Sequence, residues 1–151
     1  MSRVNLFDVD VQADEDEPPG YGARRAHVGP LVGGEQLGMS VYEIAPGLSI
    51  CAYHYENAEE EWLIVLAGRP TLRTPDGERD LGPWDCAFFP TGEVGAHKVT
   101  NRTDEIVRVC IWSNWLPVAT SIYPDSEKVG AFPPAKFFRL GDAVEYFAGE
   151  L

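Results

Sequence analysis

The feature that most constrains the fold is a series of short, strand-like runs that begins at Met39. The runs are rich in β-branched and aromatic residues, and turn residues separate them at spacings of roughly 8 to 12 residues. No helical period of comparable strength occurs before residue 140. This pattern predicts an all-β sandwich or barrel. The predicted strands cover residues 39–44, 48–56, 62–66, 71–74, 78–81, 86–89, 97–101 and 106–112.

Two local signals add a turn and a helix to this pattern. Asp76 and Gly77, which follow Pro75, predict a hairpin between the runs at 71–74 and 78–81. Near the end of the chain, residues 141–147 are expected to form one short helix with Asp142 as its cap.

Size and charge limit the classes of function. The chain has 151 residues and a mass of 16.7 kDa, which is the size of one ordinary domain. Its 24 acidic residues outnumber its 12 basic residues and give a net charge of −12. Nucleic acid and anionic lipid both require a basic face on a protein. We therefore expect neither a nucleic-acid partner nor a membrane partner.

The sequence also indicates a cellular compartment. The first residues contain no apolar segment of the kind found in signal peptides, and no window approaches the ~20 apolar residues of a membrane span. We therefore expect a cytoplasmic protein without a targeting signal. Cys51, Cys86 and Cys110 form no CxxC pair, and they are expected to be buried, reduced thiols.

The chain is expected to divide into an arm, a barrel and a tail. Residues 1–37 form an arm that packs on the barrel. We expect this arm to be extended, because the like charges of its acidic run at 14–17 repel one another and the two prolines that follow oppose a helix. A partner-binding acidic segment is the alternative for this run. Residues 38–115 form the barrel. Residues 116–151 form a tail that is too apolar to be disordered and that packs on the barrel, where it could close one end of a pocket.

Two of the three histidines lie in predicted strands, near carboxylates. His54 and Glu56 share one strand face, because residues two apart point the same way. Glu61 heads the apolar inner set of the next strand, and His97 shares a face with Val99. A carboxylate is costly to bury unless its charge is compensated, and a metal cation would compensate it. A satisfied core histidine is the alternative for either ring.

These residues resemble the two motifs of the cupin superfamily, and the chain looks like a small bacterial single-domain cupin. The motifs cover residues 47–101, about a third of the chain, and the flanking strands extend the resemblance over residues 38–115. The resemblance implies an antiparallel jelly-roll β-barrel that holds one divalent metal ion inside its mouth. The first motif is matched by Gly47, His54, Tyr55, Glu56, Glu61 and Gly68, and the second by Pro90, Thr91, Gly92, His97 and Asn101.

The sequence departs from the family pattern at three points. Glu56 stands where the first motif has its second histidine. Trp84 stands where the family usually has a glycine ahead of Pro90, which suggests a different turn. The gap between Gly92 and His97 is longer than is common in the family. The first departure affects the metal, and the other two affect loops near the mouth of the barrel.

Carried over from the family, the metal ligands would be His54, Glu61 and His97, with Glu56 in the place of the second histidine. Two imidazoles and two carboxylates suit Fe(II), Mn(II), Ni(II) or Zn(II), and they leave at least one coordination position open. Glu59 or Glu60 could replace one of the glutamates, although solvated surface charge is their expected role.

The resemblance implies a protein that binds a divalent metal and acts on a small organic molecule. As an enzyme it would be an oxygenase, an isomerase or a lyase. No catalytic residue is identified beyond guesses at Glu59 and Tyr42, while Asn101 is expected to support the strand of the second motif. The alternatives are a non-catalytic binding or sensor protein and a structural barrel with a vestigial metal site.

One strand has apolar residues on both of its faces. Trp62, Ile64 and Leu66 form its outward set, and something must cover them. The candidates are the arm, the tail and a second subunit, and the resemblance favours a homodimer. The aromatic residues around the barrel strands are expected mainly in the core and in a subunit interface. A stacking wall for a ligand is the alternative.

Overall fold

The computed structural model of the protein describes residues 1–13 and 17–150, and most of its regular structure is β-strand. A short α-helix, α1 (Val28–Val32), follows the first strand, and 3-10 turns occur at Glu93–Gly95, Pro124–Ser126 and Leu140–Asp142. Within the described residues, no helix is long and apolar enough to cross a membrane. The strands are β1 (Arg24–His27), β2 (Leu37–Ile44), β3 (Tyr55–Glu56), β4 (Glu61–Ala67), β5 (Thr71–Thr74), β6 (Gly77–Asp80), β7 (Cys86–Phe89), β8 (Lys98–Thr100), β9 (Val107–Asn114), β10 (Ala119–Tyr123), β11 (Lys128–Phe132) and β12 (Lys136–Arg139).

The strands form three antiparallel sheets. The strand order is β1-β2-β9-β4-β7 in the largest sheet, β12-β11-β10-β3 in the second and β6-β5-β8 in the third. The predicted all-β, antiparallel architecture is confirmed. The predicted hairpin is confirmed as well, because β5 and β6 pair from Thr71↔Asp80 to Thr74↔Gly77.

One apolar core joins the largest sheet to the three-stranded sheet. The alternation of side chains along β4 turns Leu63 and Val65 inward, where both are fully buried. They belong to the same cluster as Leu72 of β5 and Val99 of β8. Glu61 is in the same alternate set of β4, so the strand carries its carboxylate to the end of this core.

The N-terminal arm covers part of the outer face of the largest sheet. Val11 is buried in an apolar cluster on that face. The guanidinium of Arg108, on β9, donates hydrogen bonds to the backbone carbonyls of Leu6 and Val9. Of the acidic run at 14–17, only Glu17 lies within the described residues. The division into arm, barrel and tail stays a prediction.

The predicted strand at 48–56 is largely wrong. Only its last two residues form a strand, β3, while Ser49 and His54 make single bridges to Thr100 and His97. A turn precedes this segment, with Gly47 at a φ of +81° and the Leu48 amide bonded to the Ala45 carbonyl. The segment crosses from one sheet to another. It therefore pairs with neighbouring segments through single β-bridges and does not form a continuous β-ladder.

The tail contains strands, but the helix predicted at 141–147 is wrong. Leu140–Asp142 forms a single 3-10 turn, and Asp142 is not an N-cap. Gly141, Asp142, Val144 and the two aromatic residues at 146–147 give this stretch little helical propensity. β10 pairs with β3, and β11 and β12 extend that sheet. The apolar side chains expected to pack on the barrel are exposed in this chain: Phe137, Phe138, Leu140, Val144, Tyr146 and Phe147.

Two smaller expectations concern the cysteines and the turn at Trp84. The cysteines are all free, as expected, but Cys86 is exposed and Cys51 is only partly buried. Trp84 has a φ of +73°, in the left-handed region that favours glycine. Trp84 therefore has a backbone conformation suited to glycine, and the different turn expected from the sequence stays a prediction.

Asn101 is fully buried and holds the loop that follows β8. Its Nδ2 donates to the carbonyls of Ile44 and Glu105, at 2.8 and 2.7 Å. Its Oδ1 accepts hydrogen bonds from the amide and the hydroxyl of Thr103, at 2.9 and 2.7 Å. This network confirms that Asn101 supports the strand of the second motif.

We expect Asn101→Ala to lower the free energy of unfolding by about 3 kcal/mol, because it leaves several buried polar groups without partners. Urea denaturation measures this loss. Asn114→Ala is the matched control: it removes one exposed hydrogen bond, from the Glu60 amide, and should cost less than about 1 kcal/mol. Equal losses in the two variants would show that the network does not stabilise the fold.

Candidate metal centre

Three side chains converge at the end of the core. His54 precedes β3, Glu61 begins β4, and His97 precedes β8. The two histidines form an isolated bridge, in which each backbone amide donates to the other residue's carbonyl, at 3.2 and 2.8 Å. Their ring centroids are 4.8 Å apart. Backbone pairing therefore fixes the separation of the two imidazoles.

Backbone carbonyls set the tautomer of each imidazole. Nδ1 of His54 donates to the Ala52 carbonyl, and Nδ1 of His97 donates to the Gly95 carbonyl, both at 3.0 Å. A carbonyl can only accept, so both Nδ1 atoms carry the proton and both Nε2 atoms present a lone pair. Burial lowers the pKa of both rings, and with the neighbouring His54 it brings the pKa of His97 to about 3. Both rings are thus neutral at pH 7, the form that binds metal.

Glu61 supplies a carboxylate with an unused acceptor. Its Oε2 is buried, lies 3.5 Å from Nε2 of His97, and has no hydrogen-bond partner among the described residues. Burial, followed by the nearby charges of Glu56 and Glu59, raises the pKa of Glu61 to about 8. An unpaired, buried carboxyl oxygen costs free energy, and a cation at this point would offset that cost.

These three residues are positioned for one metal ion. One ligand atom from each of His54, Glu61 and His97 lies within 4.8 Å of the other two. Two neutral imidazoles and one carboxylate form a donor set that fits Fe(II), Mn(II), Ni(II) and Zn(II) alike. The set contains no thiolate, unlike most closed structural zinc sites.

Glu56 lies beside this group and is held by the tail. Its Oε1 is 3.5 Å from Nε2 of His54. The hydroxyl of Ser121, on β10, lies 2.8 and 2.7 Å from the two carboxylate oxygens of Glu56 and donates to the carboxylate. Burial raises the pKa of Glu56, and the hydrogen bond from Ser121 opposes this shift. The structure thus places Glu56 next to the three converging residues, with its carboxylate turned toward Ser121.

The other two glutamates suggested by the sequence lie elsewhere. Oε1 of Glu59 accepts a hydrogen bond from the Leu116 amide at 2.9 Å, and Glu60 is exposed. Neither side chain belongs to the converging group or lines the cavity beside it. Their expected role as surface charge agrees with this placement.

Aromatic rings pack against both imidazoles. Phe89 of β7 stacks on His97, with ring centroids 3.7 Å apart and ring planes inclined by 9°. Tyr123 of β10 stacks on His54, with centroids 5.7 Å apart and planes inclined by 18°. These contacts restrict rotation of the imidazoles, whose Nε2 atoms lie 3.5 Å from Glu56 Oε1 for His54 and 3.5 Å from Glu61 Oε2 for His97.

A cavity of about 270 Å³ adjoins the three residues. Arg25 and Tyr42 face each other across the β1–β2 pair, and both line this cavity. The Arg25 guanidinium donates a hydrogen bond to the Tyr42 hydroxyl. Burial raises the pKa of Tyr42 and outweighs the opposing effect of Arg25, so the phenol stays protonated. Cys51 also lines the cavity, and burial raises its pKa to about 12.

Sequence reasoning missed several residues of this site. Arg25 lies in β1, a strand of four residues inside the region expected to be an irregular arm. Ser121 and Tyr123 lie in the tail, and no motif marked them. Their role depends on the pairing of β10 with β3, which residue patterns within either segment do not reveal.

Comparison with known proteins identifies the fold. The family model for the Cupin domain matches residues 40–114. No curated protein matches the sequence significantly. Among solved structures, a proposed sugar phosphate isomerase from Acidithiobacillus ferrooxidans has a TM-score of 0.83 and 22% identity, over 93% of this chain and 91% of that chain.

Two further solved structures are similar. A sugar phosphate isomerase of the cupin superfamily from Silicibacter pomeroyi has a TM-score of 0.81 and 24% identity, over 95% of this chain and 96% of that chain. The polyketide cyclase RemF from Streptomyces resistomycificus has a TM-score of 0.58 and 25% identity, over 76% and 79%. The predicted jelly-roll barrel is thereby confirmed.

We expect the metal-free protein to lose stability as the pH rises from about 6.5 to 8.5. Glu61 has a pKa of about 8 in the folded chain, against about 4.3 in an unfolded chain. The stability linked to its proton is full below the unfolded pKa and is lost as the pH rises through the folded pKa. The loss over this interval is about 2 kcal/mol. His97, whose pKa is lowered, changes the stability with pH only below about pH 6.5.

Urea denaturation of chelator-treated protein at several pH values measures this effect. Glu61→Gln keeps the shape of the side chain but cannot ionise, so its stability should stay nearly constant over the same interval. Glu60→Gln, at an exposed neighbouring position, should follow the wild-type curve. A Glu61→Gln curve that falls like the wild type would assign the pH dependence to another group.

Proposed function

Because the chain belongs to the cupin superfamily, we propose that it is a metal-dependent enzyme whose barrel binds a divalent transition-metal ion beside a small organic substrate. In this proposal His54, Glu61 and His97 hold the ion, and Glu56 is the fourth ligand. The observation that carries the proposal is the buried Oε2 of Glu61, which has no hydrogen-bond partner in the described chain and lies beside imidazole lone pairs. When bound, the metal supplies Lewis-acid polarisation of a substrate oxygen.

The proposed reaction is a proton transfer next to the polarised oxygen, as in an isomerase or a lyase. Tyr42 presents a protonated hydroxyl in the cavity and can donate a proton from that atom. Arg25 lies opposite Tyr42 in the β1–β2 pair and brings a positive charge to the same cavity. The sequence suggested Glu59 or Tyr42 as a general base. Tyr42 lines the cavity, but as a proton donor, and Glu59 does not line it.

Two solved structures that share this fold are named for enzymes, which agrees with an enzymatic role for this chain at the level of the fold. One is a sugar phosphate isomerase, and the other is a polyketide cyclase. A shared fold does not carry a shared substrate. The argument for proton transfer therefore depends on Tyr42 and Arg25.

An oxygenase is the second candidate, favoured by the donor set. Two histidines and one carboxylate with open positions form the pattern of non-haem Fe(II) oxygenases. The two candidates are distinguished by measuring the rate at which the protein converts a panel of substrates in the absence of oxygen. An isomerase or lyase keeps its rate, whereas an oxygenase loses it. A sensor protein would bind ligand and give no product in either atmosphere.

We expect His97→Ala to lower the bound metal by more than about tenfold, because it removes one of three converging ligands. Plasma mass spectrometry of the purified protein measures the metal, and circular dichroism checks that the fold remains. His27→Ala is the control, since it removes a histidine that is not one of the three converging residues. Stoichiometric metal in His97→Ala would show that the assigned centre is wrong.

A second substitution tests the role assigned to Glu56. Glu56→His restores the residue that the family usually has here, so it should bind metal at least as tightly as the wild type. The affinity of each variant for the metal is measured by competition with a chromophoric chelator. Ser121→Ala serves as the control, because it frees the Glu56 carboxylate from its hydrogen bond without changing the ligand itself. Complete loss of metal in Glu56→His would mean that this side chain does not face the ion.

The protein is proposed to form a homodimer through the outer face of its largest sheet. Trp62, Phe88 and Trp112 lie side by side there in neighbouring strands; Trp112 packs against the arm's apolar cluster, while Trp62 and Phe88 are exposed. Trp62 is 39% exposed, with its ring 4.7 Å from Phe88 and 6.2 Å from Trp112. An exposed aromatic patch of this kind is typical of protein interfaces. A cytoplasmic location also stays a prediction.

Trp62→Lys should convert the dimer into a monomer, because it places a charge at the centre of the patch. Sedimentation at several protein concentrations measures the mass. Trp84→Lys is the matched control, since Trp84 is also an exposed tryptophan but lies outside the patch. A wild-type protein that sediments as a monomer at all concentrations would refute the dimer.

A further inference from the structure

The C-terminal tail reaches the metal centre through one strand. β10 pairs with β3 in antiparallel register, and Ser121 lies opposite Glu56. Residues that face each other in such a pair place their side chains on the same side of the sheet. Tyr123 is two residues further along β10 and shares that side, where its ring stacks on His54. The tail therefore brings the Ser121 hydroxyl to Glu56 on the side of the sheet that bears the metal centre.

The backbone of Glu56 is held in place, so only its side chain is left to move. The residue pairs with β10 on one side, and its carbonyl accepts a hydrogen bond from the Gly92 amide at 2.8 Å. Rotation about the side-chain bonds then decides where the carboxylate lies. In the structure it lies at Ser121, whose hydroxyl oxygen is 2.8 and 2.7 Å from the two carboxylate oxygens. A hydroxyl has one proton, so it donates to one of these oxygens at a time.

This hydrogen bond keeps Glu56 outside the converging group. Its Oε1 lies 3.5 Å from Nε2 of His54, but Glu56 does not join His54, Glu61 and His97 in the set whose ligand atoms lie within 4.8 Å of one another. Ser121 is 3% exposed, so its hydroxyl depends on protein partners rather than on bulk water. Without a cation, the charge of Glu56 is also unfavourable beside Glu61. A donor to one side of the site therefore stabilises Glu56 away from the position of the ion.

We propose that Ser121 is a positioning residue that competes with the metal ion for the Glu56 carboxylate. While Glu56 is bonded to Ser121, the ion is held by the three converging residues, and when Glu56 turns to the ion it becomes the fourth ligand. The tail thereby sets how tightly the ion is held and how many coordination positions stay open. This inference rests on the proposed function, because it requires an ion at the converging residues.

Titration of Ser121→Ala with Co(II) tests the inference. The substitution removes the competing donor, so the affinity for Co(II), measured by competition with a chromophoric chelator, should rise about fivefold, the equivalent of one typical hydrogen bond. The visible absorption of the bound Co(II) should weaken, because these bands lose intensity as more ligands bind the ion. Ser121→Thr keeps the hydroxyl and should restore both wild-type values. Damage to the fold alone would not raise the affinity.

Two further variants connect the effect to Glu56. Thr120→Ala is the matched control: it removes a hydroxyl from the opposite side of the same strand, where Thr120 accepts a hydrogen bond from Asn57 at 2.9 Å, and it should leave the affinity unchanged. In a Glu56→Ala background, Ser121→Ala should have no effect, because no carboxylate is left to release. Unchanged or weaker binding in Ser121→Ala alone, or the same gain in the Glu56→Ala background, would overturn the inference.

Metal binding by the wild type separates this test from that of the proposed function. If the wild type binds Co(II) and Ser121→Ala binds it no more tightly, the role of Ser121 fails and the proposed function stands. If the wild type binds no metal and Ser121→Ala does, the role of Ser121 stands and the proposed function fails. If neither protein binds metal, both are wrong.

Discussion

A buried carboxyl oxygen of Glu61 beside two neutral imidazoles is the constraint on which the site depends. Glu61 is drawn into the interior because it shares the alternate set of β4 with Leu63 and Val65. Its Oε2 finds no donor in the described protein, and both imidazole Nε2 atoms nearby offer lone pairs rather than protons. A protein selected for stability alone would place an apolar side chain here. The three residues are instead positioned for a metal ion.

All three sheets contribute to holding this group in place. Glu61 comes from the largest sheet, His97 precedes the edge strand of the smallest, and His54 precedes the strand that joins the second. The reciprocal backbone bond between the two histidines ties two of these layers together. Because each ring is also stacked on an aromatic neighbour, the geometry is fixed before any ion arrives.

Short-range rules predicted the all-β class, whereas the jelly-roll barrel and the set of metal ligands were expected from the cupin resemblance. Period-two alternation identified the inward set of β4, and turn residues located the β5–β6 hairpin. The surroundings of the site follow from long-range pairing. The segment at 48–54 crosses between sheets, Arg25 depends on its register with Tyr42, and Ser121 depends on the pairing of β10 with β3. Local residue patterns do not encode such pairings.

Residues on both sides of the range matched by the family model also contribute to the site. Residues 40–114 contain the converging residues, whereas Arg25 lies before that range and Ser121 and Tyr123 lie after it. These flanking strands touch the pocket without forming the motifs. Barrels that share one ion-holding motif could thus acquire new substrate preferences by exchanging only their terminal extensions, while the central strands stay unchanged.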